Sequence, residues 1–360
     1  MIRLIKPYIC YDEVKADFEE IFNSGIFTKG TFSMKLPEEI CRYTGAKYSF
    51  NTTSATTALA VCLDILNIGE DDEVIISDFS FPATVNVVEA CGAIPIFCDV
   101  DRESYNMLPD ELVKNITNKT KAVIFVSALG NPSGLDKIQK ICTDNNITLI
   151  HDAACAIGSK IGDQCVGGIA DLECFSFHPR KLLTSGEGGA ITTSCDEFAE
   201  RLKIKLSHGA TVKEGIFDFV DYGYNYRLPD LQCVMLLKQI AKLDEIVMQR
   251  VQIQQQYTNH LENVGFCSQK HDINVLHNMQ SVVFTVPEGM NRDDLIEYLK
   301  NESIESTLGT YCLSNCTYYK EKYNNVQLNA LWLEQNTITL PCYYGVDVEK
   351  VIKSIINIDK

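Results

Sequence analysis

Residues 173–189, ECFSFHPRKLLTSGEGG, gather several side chains able to do chemistry: Ser176, His178, Arg180, Lys181 and Glu187. An apolar run (Cys174, Phe175, Phe177) leads into the turn that carries the lysine. A second turn, Ser185-Gly186-Glu187-Gly188-Gly189, follows it. Its glycines let the backbone adopt positive φ and come close to whatever lies beside it. A lysine held between two such turns suits a reactive amine, whose chemistry is Schiff-base formation with a carbonyl. The bland alternative is a solvated Ser/Lys/Gly loop, and residues elsewhere must decide.

Three other places offer complementary chemistry. Asp152, in His151-Asp152-Ala153-Ala154, directly follows the apolar run Ile147 to Ile150 and could hold a protonated ring nitrogen. Phe81 closes Ser77-Asp78-Phe79-Ser80-Phe81 and could stack on a ring. Ser54-Ala55-Thr56-Thr57 precedes Leu59, Cys62, Leu63 and Leu66 at helical spacing, so a helix starts near Ser54. Its free N–H groups and positive dipole end bind phosphate, although Ser54 also suits an ordinary N-cap. An aspartate, an aromatic, a phosphate cradle and a lysine together ask for one ligand, pyridoxal 5'-phosphate.

The elements that must position these groups alternate. Tyr11 to Asn23 is helical and stops at Ser24-Gly25, and a second helical run ends at Thr44-Gly45. From Glu73 onward, apolar strands (Val74–Ile76, Ile94–Phe97, Ala122–Val126, Ile147–Ile150) alternate with helices. This pattern predicts an α/β fold with a mostly parallel sheet covered on both faces, and ligands sit beyond the carboxyl ends of such strands. Phe81, Asp152 and the Ser176–Lys181 turn all fall at strand ends. Residues 206–227 read as a long, aromatic, irregular loop. A long helix is expected from about Pro229 past Gln256, linking a large domain (1–240, with its N-terminal segment) to a smaller C-terminal α/β domain (241–360). The latter would hold a strand at Val282–Val286, a helix at Arg292–Asn301, a Cys/Tyr-rich loop at Thr310–Tyr319, a strand ending at Leu340-Pro341 and a closing helix.

With 48 acidic against 32 basic residues, the formal charge of −16 makes nucleic acid or an anionic membrane an unsuitable partner. The fifteen cysteines are scattered, odd in number and free of any C-x-x-C, which points to thiols in a reducing cytoplasm rather than a disulfide framework. Neither a signal-peptide core nor an apolar run long enough to span a membrane is expected. No zinc-type spacing appears, so no metal is expected; His151 packs or hydrogen-bonds at its strand end.

The chain resembles the DegT/DnrJ/EryC/StrS sugar aminotransferases, pyridoxal-phosphate enzymes of fold type I. The likeness runs through SGIFTKG, YTGAKYSFNTTSATTAL, EDDEVIISDFSFPATVN, GAIPIFCDVD, HDAACAIGS, CFSFHPRKLLTSGEGGAITT and GYNYRLPDLQ, nearly the whole chain. It implies a seven-stranded-type sheet in the large domain. It also implies that Lys181 bonds the cofactor aldehyde, Asp152 pairs with the ring nitrogen and Phe81 stacks on the ring. Ser54, Ala55, Thr56 and Ser176 would hold the phosphate. Asn225 would reach the neighbouring subunit's phosphate, making a homodimer with shared sites. Glu187, Arg180, His208 and Tyr311 would lie towards the substrate; Arg180 is either a surface charge or a holder of an anionic substrate, and His178 is a spacer.

Three departures stand out. Cys155 replaces the family's common glutamine near the phenolic oxygen. Ala55 replaces a glycine of the phosphate turn. Thr310-Tyr311-Cys312-Leu313-Ser314 replaces a Tyr-x-Pro-Leu-His pattern that helps bind nucleotide-sugar. The resemblance implies amino transfer, with L-glutamate as donor, onto a keto-sugar, most often nucleotide-linked, to make an amino-sugar for surface polysaccharide or a related product. Pyridoxamine phosphate would be the second form of the cofactor. The rivals are an aminotransferase for a non-nucleotide ketone and a deoxysugar dehydratase, whose family members carry histidine in place of Lys181. A cofactor-binding regulator without turnover is the non-enzymatic reading.

Overall fold

A computed structural model of the chain describes residues 1–213 and 215–358. Seven strands form the main sheet: β1 (Tyr48–Thr52), β2 (Glu73–Ser77), β3 (Ile94–Cys98), β4 (Thr120–Val126), β5 (Thr148–Asp152), β6 (Leu172–Ser176) and β7 (Gly189–Thr193). Their order is β1-β7-β6-β5-β4-β2-β3. β7 runs antiparallel to both its neighbours, while β6, β5, β4, β2 and β3 pair in parallel. This is the α/β architecture the apolar runs predict. Alternate residues feed two cores: Val74, Ile76 and Ile124 pack on one face, Ile75, Val123 and Phe125 on the other. Strands buried on both faces cannot alternate apolar with polar, which explains their continuous apolar sequence.

Helix ends follow local chemistry. α1 (Tyr11–Ser24) and α2 (Thr31–Thr44) stop at Gly25 and Gly45, both left-handed at φ 67° and 79°. α3 (Ala55–Ile65) opens on Ser54 through a capping box with Thr57. α4 (Ala83–Ala90), α5 (Pro109–Asn115), α6 (Leu135–Asp144) and α7 (Asp196–Lys205) are the crossover and flanking helices.

The sequence expectation fails in three places beyond this point. The single long helix expected from Pro229 past Gln256 is two helices, α8 (Asp230–Ile240) and α9 (Leu243–Leu261). No proline or glycine marks the break at Ala241-Lys242. It turns Leu243, Ile246 and Val247 into the core that also holds Ile240, and it sets Lys242 against Glu13 of α1. The expected irregular loop contains a hairpin, β8 (Ala210–Lys213) with β9 (Ile216–Phe219). The Cys/Tyr-rich loop already carries a two-residue strand and the start of a helix.

A second, antiparallel sheet follows, made of β10 (Cys267–Ser268), β11 (Val282–Thr285), β12 (Thr307–Leu308) and β13 (Thr337–Leu340), ordered β10-β11-β13-β12. α9, α10 (Arg292–Asn301) and α13 (Val348–Ile356) cover it around Tyr257, Leu261, Phe284, Leu295, Leu299 and Ile355. Between its strands, α11 (Thr317–Tyr323) and α12 (Leu328–Asn336) complete the helices. Tyr311-Cys312 returns to pair with Phe79-Ser80, so the C-terminal part supplies backbone directly beside the end of β2. Among the described residues no helix is long and apolar enough to cross a membrane, and all fifteen cysteines are free.

Candidate active site

The carboxyl ends of β2, β4, β5 and β6 open on a cavity of about 210 Å³. Of the residues singled out from sequence, Phe81, Asp152, Cys155, Arg180, Lys181 and Tyr311 line it. They come from chain positions 230 residues apart. Parallel strands place their C-terminal ends side by side, so every βα turn delivers its residues to the same edge.

Asp152 is the last residue of β5 and is buried. Its Oδ2 accepts from Thr84 Oγ1 at 2.8 Å, and Oδ1 from the Ala154 N–H at 3.2 Å. Thr84 in turn lies 2.8 Å from Ser80 Oγ. A carboxylate has about four acceptor positions, so it can still take a further donor from the cavity. Lys181 Nζ donates to Cys155 Sγ at 3.0 Å. Burial pushes the Lys181 pKa down, but the Cys155 sulfur and then the Asp152 carboxylate outweigh it, and the net shift is upward. The lysine turn is held by its own backbone: Lys181 N–H donates to His178 O, and Arg180 N–H to His178 Nδ1. His178 is thus a turn former, as expected of a spacer; burial, offset in part by Glu187, keeps its pKa below the usual value.

The phosphate-type residues gather at a second place. Ser176 pairs with Gly189, and Gly189 with Thr52. A Cβ on Gly189 would lie 2.5 Å from the Ser54 carbonyl carbon, so only glycine lets the start of α3 approach the end of β6. Ser54, Ala55, Thr56 and Ser176 therefore share one edge. The Ser54 hydroxyl is already committed to the Thr57 N–H at 3.1 Å. The N–H groups of Ala55 and Thr56, in the first turn, remain without an intrahelical acceptor. That leaves the backbone rather than the Ser54 side chain to meet an anion. Ser54 fills the N-cap role weighed against phosphate binding.

Three residues lie away from the cavity. Glu187 is exposed, 3.9 Å from His178 Nε2. His208 accepts from Arg227 at 3.1 Å on the arm that carries the hairpin. Asn225 is exposed on the same arm. Sequence reading missed Ser127 and Arg250, both on the cavity wall. Ser127 was findable, since it stands immediately past an apolar strand. Arg250 was not: it is buried on α9 and donates to the carbonyls of Met279, Gln280 and Cys342, partners set only by tertiary packing. Phe81 is open to solvent, with its ring edge-on to Tyr311 at 6.3 Å. Among the described residues no cluster of three or more His, Cys, Asp or Glu could hold a metal.

Fold and site define an enzyme class built around a lysine and an aspartate at strand ends, able to hold pyridoxal phosphate. The chain belongs to the DegT/DnrJ/EryC1/StrS aminotransferase family, whose family model matches residues 9–358. It is therefore a pyridoxal-phosphate-dependent aminotransferase. It is 31% identical to the uncharacterised protein MJ1066 of Methanocaldococcus jannaschii, over 98% of this chain and 97% of that one. Among solved structures it resembles the putative sugar aminotransferase Spr1654 of Streptococcus pneumoniae in its PMP form. The TM-score is 0.89 and the identity 26%, over 97% of this chain and 96% of that one. It also resembles PseC of Helicobacter pylori, an aminotransferase involved in the biosynthesis of pseudoaminic acid. Here the TM-score is 0.91 and the identity 25%, over 99% and 98% of the two chains.

Proposed function

We propose that the enzyme transfers an amino group from L-glutamate to the ketone of a nucleotide-linked keto-sugar, making an amino-sugar for surface polysaccharide or a related product. The observation that carries this reading is Lys181 on one cavity wall with Asp152, in a chain whose relatives include sugar aminotransferases. Bound pyridoxal phosphate supplies the electron sink for the Cα–H bond that must break. Asp152 holds the proton on the ring nitrogen, because a buried carboxylate stabilises a cation beside it. Lys181 would hold the cofactor through its amine and, when free, would take and return the proton at the reacting carbon. Ala55 and Thr56 would donate backbone N–H groups to the phosphate, with Ser176 and, in a homodimer, the partner's arm around Asn225 completing its cradle. Phe81 would stack on the ring, and Cys155 would be a neighbour of the cofactor, since both line the cavity.

The arm supports a homodimer with shared sites. Val212, Ile216, Phe217 and Phe219 are exposed on the hairpin, an apolar surface of the kind that marks an interface. Arg180 and Arg250 add positive charge to a cavity in an acidic protein, which suits an anionic substrate. We place the boundary between a large cofactor-binding domain and a smaller C-terminal one at residue 240, and the enzyme in the cytoplasm. The dehydratase reading is disfavoured by Lys181 itself.

The test uses absorbance of the purified, cofactor-loaded protein. L-Glutamate should convert the spectrum to that of the pyridoxamine form, and a nucleotide-linked keto-sugar should restore it. Restoration by an unlinked ketone alone would assign the rival substrate class. A spectrum that no amino donor changes would overturn transamination.

A further inference from the structure

We propose that Lys205 is a positioning residue that clamps the base of the arm to α3 and so sets where Asn225 stands for the neighbouring subunit's cofactor. This rests on the shared-site reading of the arm and not on which ketone is the substrate. Lys205 ends α7, immediately before the arm. Its Nζ lies 3.0 Å from Asp221 Oδ2 in the returning limb and 3.3 Å from Asp64 Oδ2 near the end of α3. The same ammonium sits 3.3 Å from the centre of the Tyr222 ring. Tyr222 Oη in turn donates to Asp64 Oδ1 at 2.5 Å. One side chain thus joins the two limbs of the arm to the helix whose first turn carries the candidate phosphate cradle.

The backbone prepares this junction. Tyr224 N–H donates to Lys205 O at 2.7 Å, and Val220 N–H to Gly209 O at 2.9 Å. A Cβ on Gly223 would lie 2.2 Å from Gly209 N, so glycine there lets the two limbs touch. Asn225 follows Tyr224 directly, so the bond to Lys205 O fixes its neighbour in the chain. Burial alone would push the Lys205 pKa down, but the Asp221 hydrogen bond, the Asp64 charge and Tyr222 outweigh it, and the net shift is upward. The Asp221 carboxyl is held below its ordinary value, chiefly by the hydrogen bond from Lys205. Both directions describe a charged pair.

An exposed ion pair contributes little, because water competes for both charges and two long side chains must be held in one geometry. Lys205 is not of that kind: its side chain is 9% exposed and that of Asp64 14%. Two carboxylates and a ring face share one ammonium, which has three N–H groups to offer. The returning strand β9, by contrast, is exposed at every residue. The body therefore holds the arm at its base, and the direction of everything beyond depends on that hold.

The experiment compares wild type, Lys205→Met, Asp221→Asn, their double variant and Asn225→Ala. Amide hydrogen exchange is followed by mass spectrometry, and pyridoxal phosphate affinity by the cofactor absorption band. In Lys205→Met, amides of residues 208–213 and 220–224 should exchange about ten- to a hundredfold faster, the worth of a hydrogen bond between charged groups, while β4 and β5 keep wild-type rates. Asp221→Asn should act in the same direction, and the double variant should be no worse than Lys205→Met, because both remove one clamp. The pyridoxal phosphate dissociation constant of Lys205→Met should rise about three- to tenfold, as for one hydrogen bond lost at the cofactor. Wild-type exchange in the arm or wild-type affinity would each overturn the proposal, as would equal acceleration throughout the chain. If Lys205→Met does not fold, Asp221→Asn, at an exposed residue, decides by the same two readouts. Asn225→Ala separates the two readings. Wild-type affinity in that variant would retire the shared cradle, while exchange and affinity in Lys205→Met still judge the clamp.

Discussion

The strand-end wall of the cavity and the arm at residues 206–227 treat their functional side chains in opposite ways. On the wall, Asp152 has Thr84 and Ala154, Lys181 has Cys155, and Ser127 has His151 backed by Glu173. On the arm, Phe217 and Phe219 touch mainly each other, ring edge to ring face at 5.2 Å, and both face solvent. Buried polar groups must find partners within the chain, because an unpaired one costs about 1–3 kcal/mol. Exposed apolar groups carry no such requirement and gain only when another surface covers them. The wall's polar groups find their partners within one chain; the arm leaves its apolar side chains exposed.

The difference predicts a graded set of outcomes. Lys181→Ala should cost the most, with amino transfer reduced about 10⁴-fold, the upper range for losing a positioned acid–base group. Borohydride should no longer fix the cofactor to the protein; retained fixation would move the reactive amine elsewhere. Next, Phe217→Asp with Phe219→Asp should weaken self-association about 10³-fold, given roughly 2 kcal/mol for each buried phenylalanine. Sedimentation velocity reads this directly. A wild-type oligomer in that double variant would show that the arm is not at the interface.

Asp152→Asn should lower kcat about 10- to 100-fold, the worth of one charged hydrogen bond, with the fold retained by circular dichroism. A fourth outcome concerns the seam between the two halves of the chain. Asp78 accepts from the Ser314 N–H at 2.7 Å, from Ser314 Oγ at 2.6 Å and from Cys312 Sγ at 3.2 Å. It thereby anchors the segment that carries Tyr311. Burial raises its pKa to about 7 despite these donors. The folded chain then keeps a proton that the unfolded chain releases near pH 4. Its contribution to stability is complete below that point and fades as pH rises to about 7. Asp78→Asn should flatten this part of the melting-temperature profile, and an unchanged slope would assign it to another group. The smallest effect is Cys155→Ser. Removing the sulfur should lower the Lys181 pKa towards its ordinary value, read from the pH dependence of amine labelling in cofactor-free protein.

Much of the wall was legible because its signals are local. An apolar run followed at once by Asp152, a glycine-rich turn after Lys181 and small residues before α3 are each set by backbone chemistry within a few positions. Gly189 shows the limit of that view. The glycine signalled a close approach, yet its neighbour, the Ser54 carbonyl, lies 135 positions away in the chain and becomes its neighbour only through strand pairing. The break between α8 and α9 left no mark at all, since core packing rather than a proline or glycine imposes it.

By itself, then, the order of residues determined the alternation of strands and helices, the family, the cofactor class and the place of Asp152 and Lys181 at or just beyond strand ends, because period, turn chemistry and short motifs are properties of neighbours. Tertiary structure alone decided that Ser127, His151 and Glu173 are linked in series by hydrogen bonds, that Arg250 joins the cavity wall, that His208 and Asn225 stay outside it, and that the arm presents a hairpin. Those facts depend on strand register and on which surfaces are buried together, and both are set by contacts between residues far apart in the chain.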